Sequence, residues 1–301
     1  MIAARCRAIP PSSNNAEETK LRSNHLSVRP IAGNCGAEVH GVDISQDLDD
    51  ATIGEIRGAL LDHGVIFFRD QHLDKVRHKV FARRFGELFV QPNYRGTSDD
   101  DEVLEIRRQP TDARIVGEHW HADTTMTAEP PMGAILYGIE VPPYGGDTLF
   151  ASCAAAYDAL SDGMKSLLSG MNAIHSDYRI AGPRVNMNAN RSTKMRQDDE
   201  WRPTVNIHPV VRTHPETKRK GLYVNRSHVD HFEGMTVEES KPLLGFLYRH
   251  MERPEFTCRF RWENGSVAFW DNRAVHHMAV HDAGQFFRHV RRVQIAGDRP
   301  Y

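Results

Sequence analysis

Histidine is the residue type in this sequence that most suggests chemistry: there are 17 among 301 residues, enough to look for a metal site. The informative pattern is His-x-Asp followed much later by another histidine, which is the two-histidine, one-carboxylate ligand set of non-haem Fe(II) oxygenases. Four triplets have the form His-x-Asp: His72/Asp74, His121/Asp123, His175/Asp177 and His228/Asp230. At most one of them can be the iron site, so the surrounding sequence has to distinguish them.

The context favours His121 and Asp123. They are followed by Pro130-Pro131 and then by a predicted strand, so they fall in a loop or at a strand end, where active sites of β proteins open. The triplet at residue 72 opens an amphipathic helical pattern and is interpreted as a helix cap, whereas those at residues 175 and 228 fall in a predicted strand and a polar loop. For the third ligand, the residues alone leave His276 and His277 as equal alternatives.

The elements that must position these ligands are mostly strands. Two helical patterns, around residues 53–61 and 76–85, flank the buried run Val65–Phe68. After residue 100 we predict many short strands and one helix, which begins at the capping box Thr236-x-x-Glu239. The predicted strands are 37–42, 65–68, 103–106, 132–141, 206–212, 222–224, 256–262, 267–270 and 288–295. This pattern predicts a mainly β fold with flanking helices, a jelly roll or sandwich rather than a doubly wound sheet.

Composition narrows the function classes. The 38 basic and 40 acidic residues nearly cancel, which disfavours nucleic acid or an anionic membrane as a partner. The four cysteines are far apart and form no Cys-x-x-Cys pair, and no apolar run approaches the ~20 residues of a membrane helix. We therefore expect a cytoplasmic protein. We also expect a homo-oligomer. Residues 1–25 are interpreted as a flexible tail, and residues 26–301 as a single domain.

Several motifs, taken in order, resemble the taurine dioxygenase and 2,4-D dioxygenase family of Fe(II)/2-oxoglutarate-dependent oxygenases. The resemblance covers residues 26–301. It implies a double-stranded β-helix, or jelly-roll, core, and it places the third iron ligand at His277, which follows Trp-Asp-Asn-Arg after three residues. The segments that carry it are Trp120-His121-Ala122-Asp123-Thr124, Arg83 with Phe85-Gly86-Glu87-Leu88, Gly145-Gly146-Asp147-Thr148-Leu149, Trp270-Asp271-Asn272-Arg273 and Gly297-Asp298-Arg299-Pro300.

The co-substrate residues follow from chemistry and from the same resemblance. A 2-oxo acid and O₂ would complete the coordination of an iron with three protein ligands, and the far carboxylate of 2-oxoglutarate needs an arginine fork. Arg288 lies 11 residues after His277, across a predicted turn at 282–284, and matches the family's arginine. The family's co-substrate threonine falls on Thr148. Arg292 lies on the same strand face as Arg288, and the resemblance assigns it to the substrate's anionic end; the alternative is a solvated charge on an edge strand.

The substrate is less clearly indicated. Gln91-Pro92-Asn93-Tyr94 stands where taurine enzymes carry His-Pro-x-Tyr, Gly117 replaces an asparagine, and His228 replaces a pocket phenylalanine. Residues 220–225 and 233–236 look more like the aryloxypropionate branch. The predicted substrate-binding residues are Arg292, Tyr94, Gln91, His228 and Tyr178. Of these, Tyr94, His228 and Tyr178 could equally be packed aromatics or surface-loop residues.

The resemblance therefore predicts hydroxylation at a C–H of a small organic anion, either a sulfonate or an aryloxyalkanoate-type carboxylate. Where that carbon bears a heteroatom, the product would break its C–X bond. One alternative is natural-product tailoring by hydroxylation, desaturation or ring oxidation with the same machinery. Two more distant alternatives are a zinc hydrolase on the same ligands and a non-catalytic metal-binding jelly roll.

Overall fold

The computed structural model describes residues 26–94, 100–178, 188, 190–195 and 202–301. Strands dominate these residues, as the sequence predicts. They are β1 (Ser27–Pro30), β2 (Ala37–His40), β3 (Val65–Phe68), β4 (Leu88–Phe89), β5 (Val103–Arg108), β6 (Gly133–Glu140), β7 (Thr148–Ser152), β8 (Asn172–Ser176), β9 (Val205–Pro209), β10 (Val211–Thr213), β11 (Lys220–Leu222), β12 (Val229–Phe232), β13 (Thr257–Phe260), β14 (Val267–Asp271), β15 (Val275–Ala279) and β16 (Arg288–Ile295).

The described helices are fewer, and their ends follow the local sequence. They are α1 (Asp50–His63), α2 (Lys75–Arg83), α3 (Cys153–Asp158), α4 (Asp162–Leu168) and α5 (Val237–Met251), with a 3₁₀ turn at Pro254–Phe256. The Asp74 side chain accepts from Arg77 N at the start of α2, so this His-x-Asp triplet is a helix cap as predicted. The capping box between Thr236 and Glu239 begins α5. No helix in the described part of the chain is long and apolar enough to cross a bilayer.

The prediction of one helix after residue 100 was wrong, because α3 and α4 precede α5. Each is short and begins at a serine whose hydroxyl accepts a backbone N–H, Ser152 for α3 and Ser161 for α4. These caps satisfy N–H groups that an isolated turn would leave unpaired. With only six and seven residues, neither helix is long enough to show a clear apolar stripe.

The largest sheet has the order β1-β2-β3-β14-β6-β16-β4, and β5 also pairs with β16. Its pairs are antiparallel except β2–β3. The run Val65–Phe68 of β3 is buried on both faces. Phe68 joins the apolar cluster formed with α1 and α2, while Phe67 faces the opposite side of the sheet. Because both faces of β3 are buried, all four of its residues are apolar, rather than apolar and polar residues in alternation.

A second sheet, of order β13-β7-β15, covers the face on which Phe67 lies. The Phe67 ring stacks on Phe260 of β13 at a centroid distance of 4.0 Å and meets Phe150 of β7 edge-on at 5.6 Å. The main core thus lies between two sheets, with helices on the outside of the larger one. A third apolar cluster joins α5 and α3 to the sheet β12-β8-β9. The mainly β architecture with few helices is confirmed.

Candidate active site

His121, Asp123 and His277 come together across 156 residues of sequence. His277 lies in β15, and the loop carrying His121 pairs with it, because His121 N donates to His277 O at 3.0 Å and His277 N donates to His121 O at 2.7 Å. The rings are 4.1 Å apart. Thr124 has a left-handed backbone, with φ of 53°, and turns the chain directly after Asp123. The strand pairing therefore sets two ligands side by side, and the turn presents the third.

The donor atoms of these three side chains converge within 4.8 Å of one another. Asp123 Oδ1 lies 3.7 Å from His121 Nε2 and 3.9 Å from His277 Nε2. The His121 Nδ1–H donates to the carbonyl of His119 at 2.7 Å, which leaves the Nε2 lone pair for a metal. Two neutral imidazoles and a carboxylate are a donor set that fits ferrous iron, so these residues can hold that ion.

Electrostatics keeps the ligands in their metal-binding protonation states. Burial lowers the pKa of His121 and holds that of His277 well below its ordinary value, so both are neutral. For Asp123, burial alone would raise the pKa, but the Arg292 guanidinium above all, together with the hydrogen bond from Asn272, outweighs burial and brings the pKa to about 2. The carboxylate is therefore ionised throughout the physiological range.

His276, the alternative third ligand, points away from this cluster. It lines a separate cavity with Trp120, Ala151 and Asn225. Successive side chains of a strand alternate between its faces, so only one of His276 and His277 can face Asp123. The register of β15 selects His277.

Asn272 orients the Asp123 carboxylate. Its Oδ1 accepts from Asp123 N at 3.2 Å and from Trp270 Nε1 at 3.0 Å, while its Nδ2 donates to Asp123 Oδ2 at 3.5 Å. Sequence reasoning used Asn272 only as part of a motif. In the structure its side chain supports the candidate iron ligand Asp123.

The neighbouring Asp271 and Arg273 hold the turn between β14 and β15. Asp271 is fully buried and accepts from Arg273 Nε at 2.9 Å, and His214 Nε2 lies 3.0 Å from its other oxygen. Arg273 also donates to Glu216 at 2.8 Å. A paired and hydrogen-bonded buried carboxylate of this kind locks the turn that leads to His277.

Thr148 and Arg288 meet at Trp262. The Trp262 Nε1–H donates to Thr148 Oγ1 at 3.0 Å, and the Arg288 guanidinium lies 5.5 Å from the Trp262 ring. Burial lowers the pKa of Arg288 to about 10, so it remains cationic at neutral pH. Its Nε is buried without a hydrogen-bond partner. The structure thus gathers both predicted co-substrate residues around one indole.

Arg288 lines an open pocket with about 470 Å³ of empty space including the solvent at its mouth, which we call the basic cavity. None of its described lining residues is acidic, and four further arginines contribute to it: Arg107, Arg108, Arg114 and Arg191. Because the described lining carries positive charge and no carboxylate, the cavity suits a dicarboxylate such as 2-oxoglutarate.

Arg292 lies next to the metal ligands. Its Nη1 donates to Asp123 Oδ1 at 2.9 Å, and the side chain is 6% exposed. Its strand, β16, is central and pairs with β6 on one side and with β4 and β5 on the other. The alternative of a solvated edge-strand charge was therefore wrong.

A second cavity is lined by two of the candidate metal ligands, His121 and Asp123, and has about 780 Å³ of empty space including the open solvent at its mouth; we call it the iron-site cavity. Gln91, Tyr94, His228 and Arg292 line it together with His121 and Asp123. The Gln91 amide donates to Thr124 Oγ1 at 3.5 Å. Burial lowers the pKa of His228 to about 3, and its Nδ1 has no hydrogen-bond partner.

Tyr178 does not belong to this group. It is 54% exposed and is not among the described residues that line either cavity. The prediction of Tyr178 as a pocket residue therefore lacks structural support, because β8 ends just before it and leaves it on the surface.

Gly117 explains one departure from the taurine pattern. Its φ is +79°, and a Cβ there would lie 3.2 Å from the His121 ring. A larger residue at this position would be strained and would crowd the candidate iron ligand His121.

Sequence reasoning missed Arg114 and Arg191, which line both cavities. Arg191 is 6% exposed although it lies in a polar stretch with no apolar period. No local signal distinguishes such an arginine from a solvated one, so only the tertiary structure identifies it.

Comparisons with known proteins agree with this site. Residues 27–294 match the model of the taurine catabolism dioxygenase TauD, TfdA family. The chain is 37% identical over 290 residues to an alpha-ketoglutarate-dependent sulfate ester dioxygenase from Pseudomonas putida, covering 96% of this chain and 95% of the relative. It is 34% identical to an alkylsulfatase from Acinetobacter baylyi, covering 92% and 86%. The crystal structure of a taurine dioxygenase from Burkholderia xenovorans superposes with a TM-score of 0.77 at 38% identity, covering 91% and 90%.

The likeness to the aryloxypropionate branch is the weaker one. An (S)-phenoxypropionate/alpha-ketoglutarate-dioxygenase from Sphingobium herbicidovorans is 32% identical over 271 residues, against 37% for the sulfate ester enzyme. The segments that suggested this branch are scaffold: β11 at residues 220–222 and the turn that enters α5. The predictions of the family, of a dioxygenase, and of Fe(II), 2-oxoglutarate and O₂ as its requirements are confirmed. The chain belongs to the taurine catabolism dioxygenase TauD, TfdA family.

Proposed function

We propose that this dioxygenase hydroxylates a small organic anion at the carbon next to its head group, and that the head group is a sulfate ester or a sulfonate. The observation that carries the proposal is the adjacency of two cavities. One is lined by His121 and Asp123, whose donor atoms converge with that of His277, and the other has Arg288 and an entirely non-acidic described lining. The chain is more similar to the sulfate ester dioxygenase than to the phenoxypropionate dioxygenase, so we rank sulfate esters and sulfonates above aryloxyalkanoates as substrates.

In the proposed reaction, 2-oxoglutarate, O₂ and R–H give succinate, CO₂ and R–OH. Bound ferrous iron would supply the oxidative decarboxylation and the removal of hydrogen from the substrate carbon. For an alkyl sulfate, the new hydroxyl shares a carbon with the sulfate oxygen. That carbon–oxygen bond then breaks, the hydroxyl proton is lost, and an aldehyde and inorganic sulfate leave.

The protein's own residues position the reactants. The Arg288 fork, which lines the basic cavity, and the Thr148 hydroxyl hold the far carboxylate of 2-oxoglutarate beside the Trp262 ring. Arg292 lies against Asp123 at 2.9 Å, close enough to neutralise an anion placed beside the iron ligands. Gln91, Tyr94 and His228 form the wall on which the organic part of the substrate rests.

We also propose the finer architecture and setting. The sheet β13-β7-β15 facing the larger sheet supports a double-stranded β-helix core, with residues 26–301 as one dioxygenase domain. The predicted tail, residues 1–25, lies outside the described residues. A cytoplasmic location and a homo-oligomeric state remain proposals.

The deciding experiment measures substrate-dependent succinate release with Fe(II), 2-oxoglutarate and O₂. The panel contains hexyl sulfate, taurine, hexanesulfonate and both enantiomers of 2-phenoxypropionate. We expect the highest coupled rate with hexyl sulfate or hexanesulfonate, and none for His277→Ala. The matched control is His72→Ala, because His72 is an exposed histidine outside the site.

Coupled turnover of phenoxypropionate alone would overturn the choice of head group. Absence of 2-oxoglutarate consumption with every compound, in protein shown to contain iron, would overturn the oxygenase reaction itself and favour a hydrolase or a binding protein.

A further inference from the structure

The His-x-Asp triplets at residues 175 and 228 lie on adjacent segments of the fold. His175 is in β8, and His228 comes directly before β12, which pairs with β8. Both histidines are buried, and neither belongs to the group of metal-ligating side chains that converges in the described part of the chain. The contacts around them lead to a third buried side chain, the amide of Asn225, which the proposed reaction does not use.

The two ends of the Asn225 amide bond to different parts of the active site. The residue is 1% exposed. Its Oδ1 accepts from Ser227 N at 3.1 Å and from His228 N at 2.9 Å. Its Nδ2 donates to Thr125 Oγ1 at 3.1 Å, two residues after the candidate iron ligand Asp123. One side chain therefore holds both the turn that carries His228 and the loop that follows Asp123.

The loop at residues 125–127 is fixed to the sheet β12-β8-β9. The carbonyls of residues 126 and 127 accept from Asn206 Nδ2 at 2.6 Å and from His208 Nε2 at 2.9 Å. The Thr125 hydroxyl lies 2.9 Å from His175 Nδ1. Several bonds thus hold this loop, and it can serve as a rigid support for the Asn225 amide.

The turn at residues 225–228 has fewer supports. The His228 carbonyl accepts from Ser176 N at 2.7 Å, and the Asn225 amide oxygen accepts its N–H. The His228 side chain lines the iron-site cavity, with its ring 6.5 Å from the ring of His121. Movement of this turn would therefore move part of the cavity wall relative to the candidate iron ligands.

We propose that Asn225 is a positioning residue that ties the His228 wall of the iron-site cavity to the loop of Asp123, and so sets where the substrate carbon lies relative to the metal. This inference rests on the proposed function and concerns a residue that lines neither the basic cavity nor the iron-site cavity. Misplacing a reacting atom by about 1 Å can cost about 10²-fold in rate, so a tie of this kind affects the reaction without contact with the substrate.

The test measures the ratio of inorganic sulfate to succinate released from hexyl sulfate by the full-length protein, with Fe(II), 2-oxoglutarate, O₂ and ascorbate as the reductant. Equal amounts mean that each oxidative decarboxylation also oxidises the substrate. We expect Asn225→Ala and Thr125→Val to lower the ratio at least about twofold, because each removes the bond between amide and hydroxyl. Thr125→Ser keeps the hydroxyl and should keep the wild-type ratio. Loss of folded protein lowers both rates together and leaves the ratio unchanged.

Anaerobic calorimetry with Mn(II) and 2-oxoglutarate gives a second readout, without turnover. Asn225→Ala and Thr125→Val should raise the Kd for hexyl sulfate about 2- to 10-fold, the loss expected for one neutral hydrogen bond. The KM for 2-oxoglutarate should change less than about twofold, because Arg288 and Thr148 lie on β16 and β7, away from these contacts. The matched control is Asn172→Ala, since Asn172 is an asparagine of β8 that donates to Glu233 at 2.8 Å outside both cavities.

A wild-type ratio in both Asn225→Ala and Thr125→Val would overturn the inference. An equal fall in Thr125→Ser and Thr125→Val would also overturn it, since the hydroxyl would then have no part. If Asn225→Ala does not fold, the comparison of the two Thr125 variants decides.

Failure of the proposed function gives a different result. If the wild-type protein neither binds nor turns over any compound of the panel, the proposed function fails and this inference is overturned with it. If the wild type turns over hexyl sulfate and the variants keep its ratio and its Kd, only the inference fails. If the panel identifies another substrate, the same ratio is measured with the product of that substrate.

Discussion

Replacing Arg288 should separate co-substrate binding from folding. Arg288 is a half-buried cation beside Trp262 whose Nε is buried, and loss of hydration lowers its pKa to about 10, so without 2-oxoglutarate its charge is held in an unfavourable environment. With 2-oxoglutarate, an arginine–carboxylate pair forms charge-assisted hydrogen bonds worth about 1.5–3 kcal/mol each. Loss of one such bond in Arg288→Gln would weaken the affinity for 2-oxoglutarate about 10- to 150-fold.

The assay is thermal and urea unfolding with Mn(II), with and without 2-oxoglutarate at 100 times the wild-type Kd. The wild-type protein should gain about 2.7 kcal/mol of stability from the ligand, and Arg288→Gln only about 0.3–1.4 kcal/mol at the same concentration. Without 2-oxoglutarate, Arg288→Gln should unfold at the wild-type temperature or above it. Arg29→Gln, an exposed arginine, is the control and should keep the full gain.

Either of two results would refute this reasoning. If Arg288→Gln keeps the wild-type gain, the carboxylate of 2-oxoglutarate binds elsewhere. If the variant unfolds well below the wild type without ligand, Arg288 is required by the fold itself, and its charge is better compensated than the described contacts indicate.

Three further predictions concern stability and metal binding. Burial lowers the pKa of His78 from 6.5 to about 3, so below pH 6.5 the unfolded chain takes up a proton that the folded protein does not. The free energy of unfolding should therefore fall as the pH drops from about 6.5 towards 3. In urea titrations between pH 6 and 5, His78→Gln should reduce the slope of this free energy against pH by about one proton. Asn272→Ala should raise the Kd for Fe(II) or Mn(II) about 10- to 100-fold in calorimetry, because the Asp123 carboxylate loses the side chain that orients it. An unchanged Kd would show that Asn272 does not orient Asp123 for metal binding. Gly145→Ala should lower the melting temperature, because Gly145 has φ of +72° and a Cβ there would lie 2.5 Å from a backbone oxygen. It should also lower the affinity for 2-oxoglutarate, because the next residue, Gly146, lines the basic cavity beside Arg288. Wild-type values for both would show that the turn adapts.

Local sequence patterns predicted helices and strands correctly where residues close in sequence determine them. The buried run Val65–Phe68 is β3 with the predicted bounds, and the capping box at Thr236 begins α5. The predicted strand 206–212 is two strands, β9 and β10, because Val210 lies between them outside either ladder. Such breaks depend on which partner strand is present, and a single strand's apolar pattern does not contain that information.

The sequence by itself determined the family, the mainly β fold and the ligand types, because motif spacing and side-chain chemistry are properties of the chain. The tertiary structure decided which groups face one another. The residues alone left His276 and His277 equal, and the register of β15 against the loop at His121 turns only His277 towards Asp123. In the sequence, Arg191 cannot be distinguished from a solvent-exposed arginine in a polar stretch. In the structure its segment pairs with the loop after β5, and Arg191 is a buried cation that lines both cavities. Burial and charge pairing are sums over neighbours distant in sequence, so they exist only once the fold has brought those neighbours together.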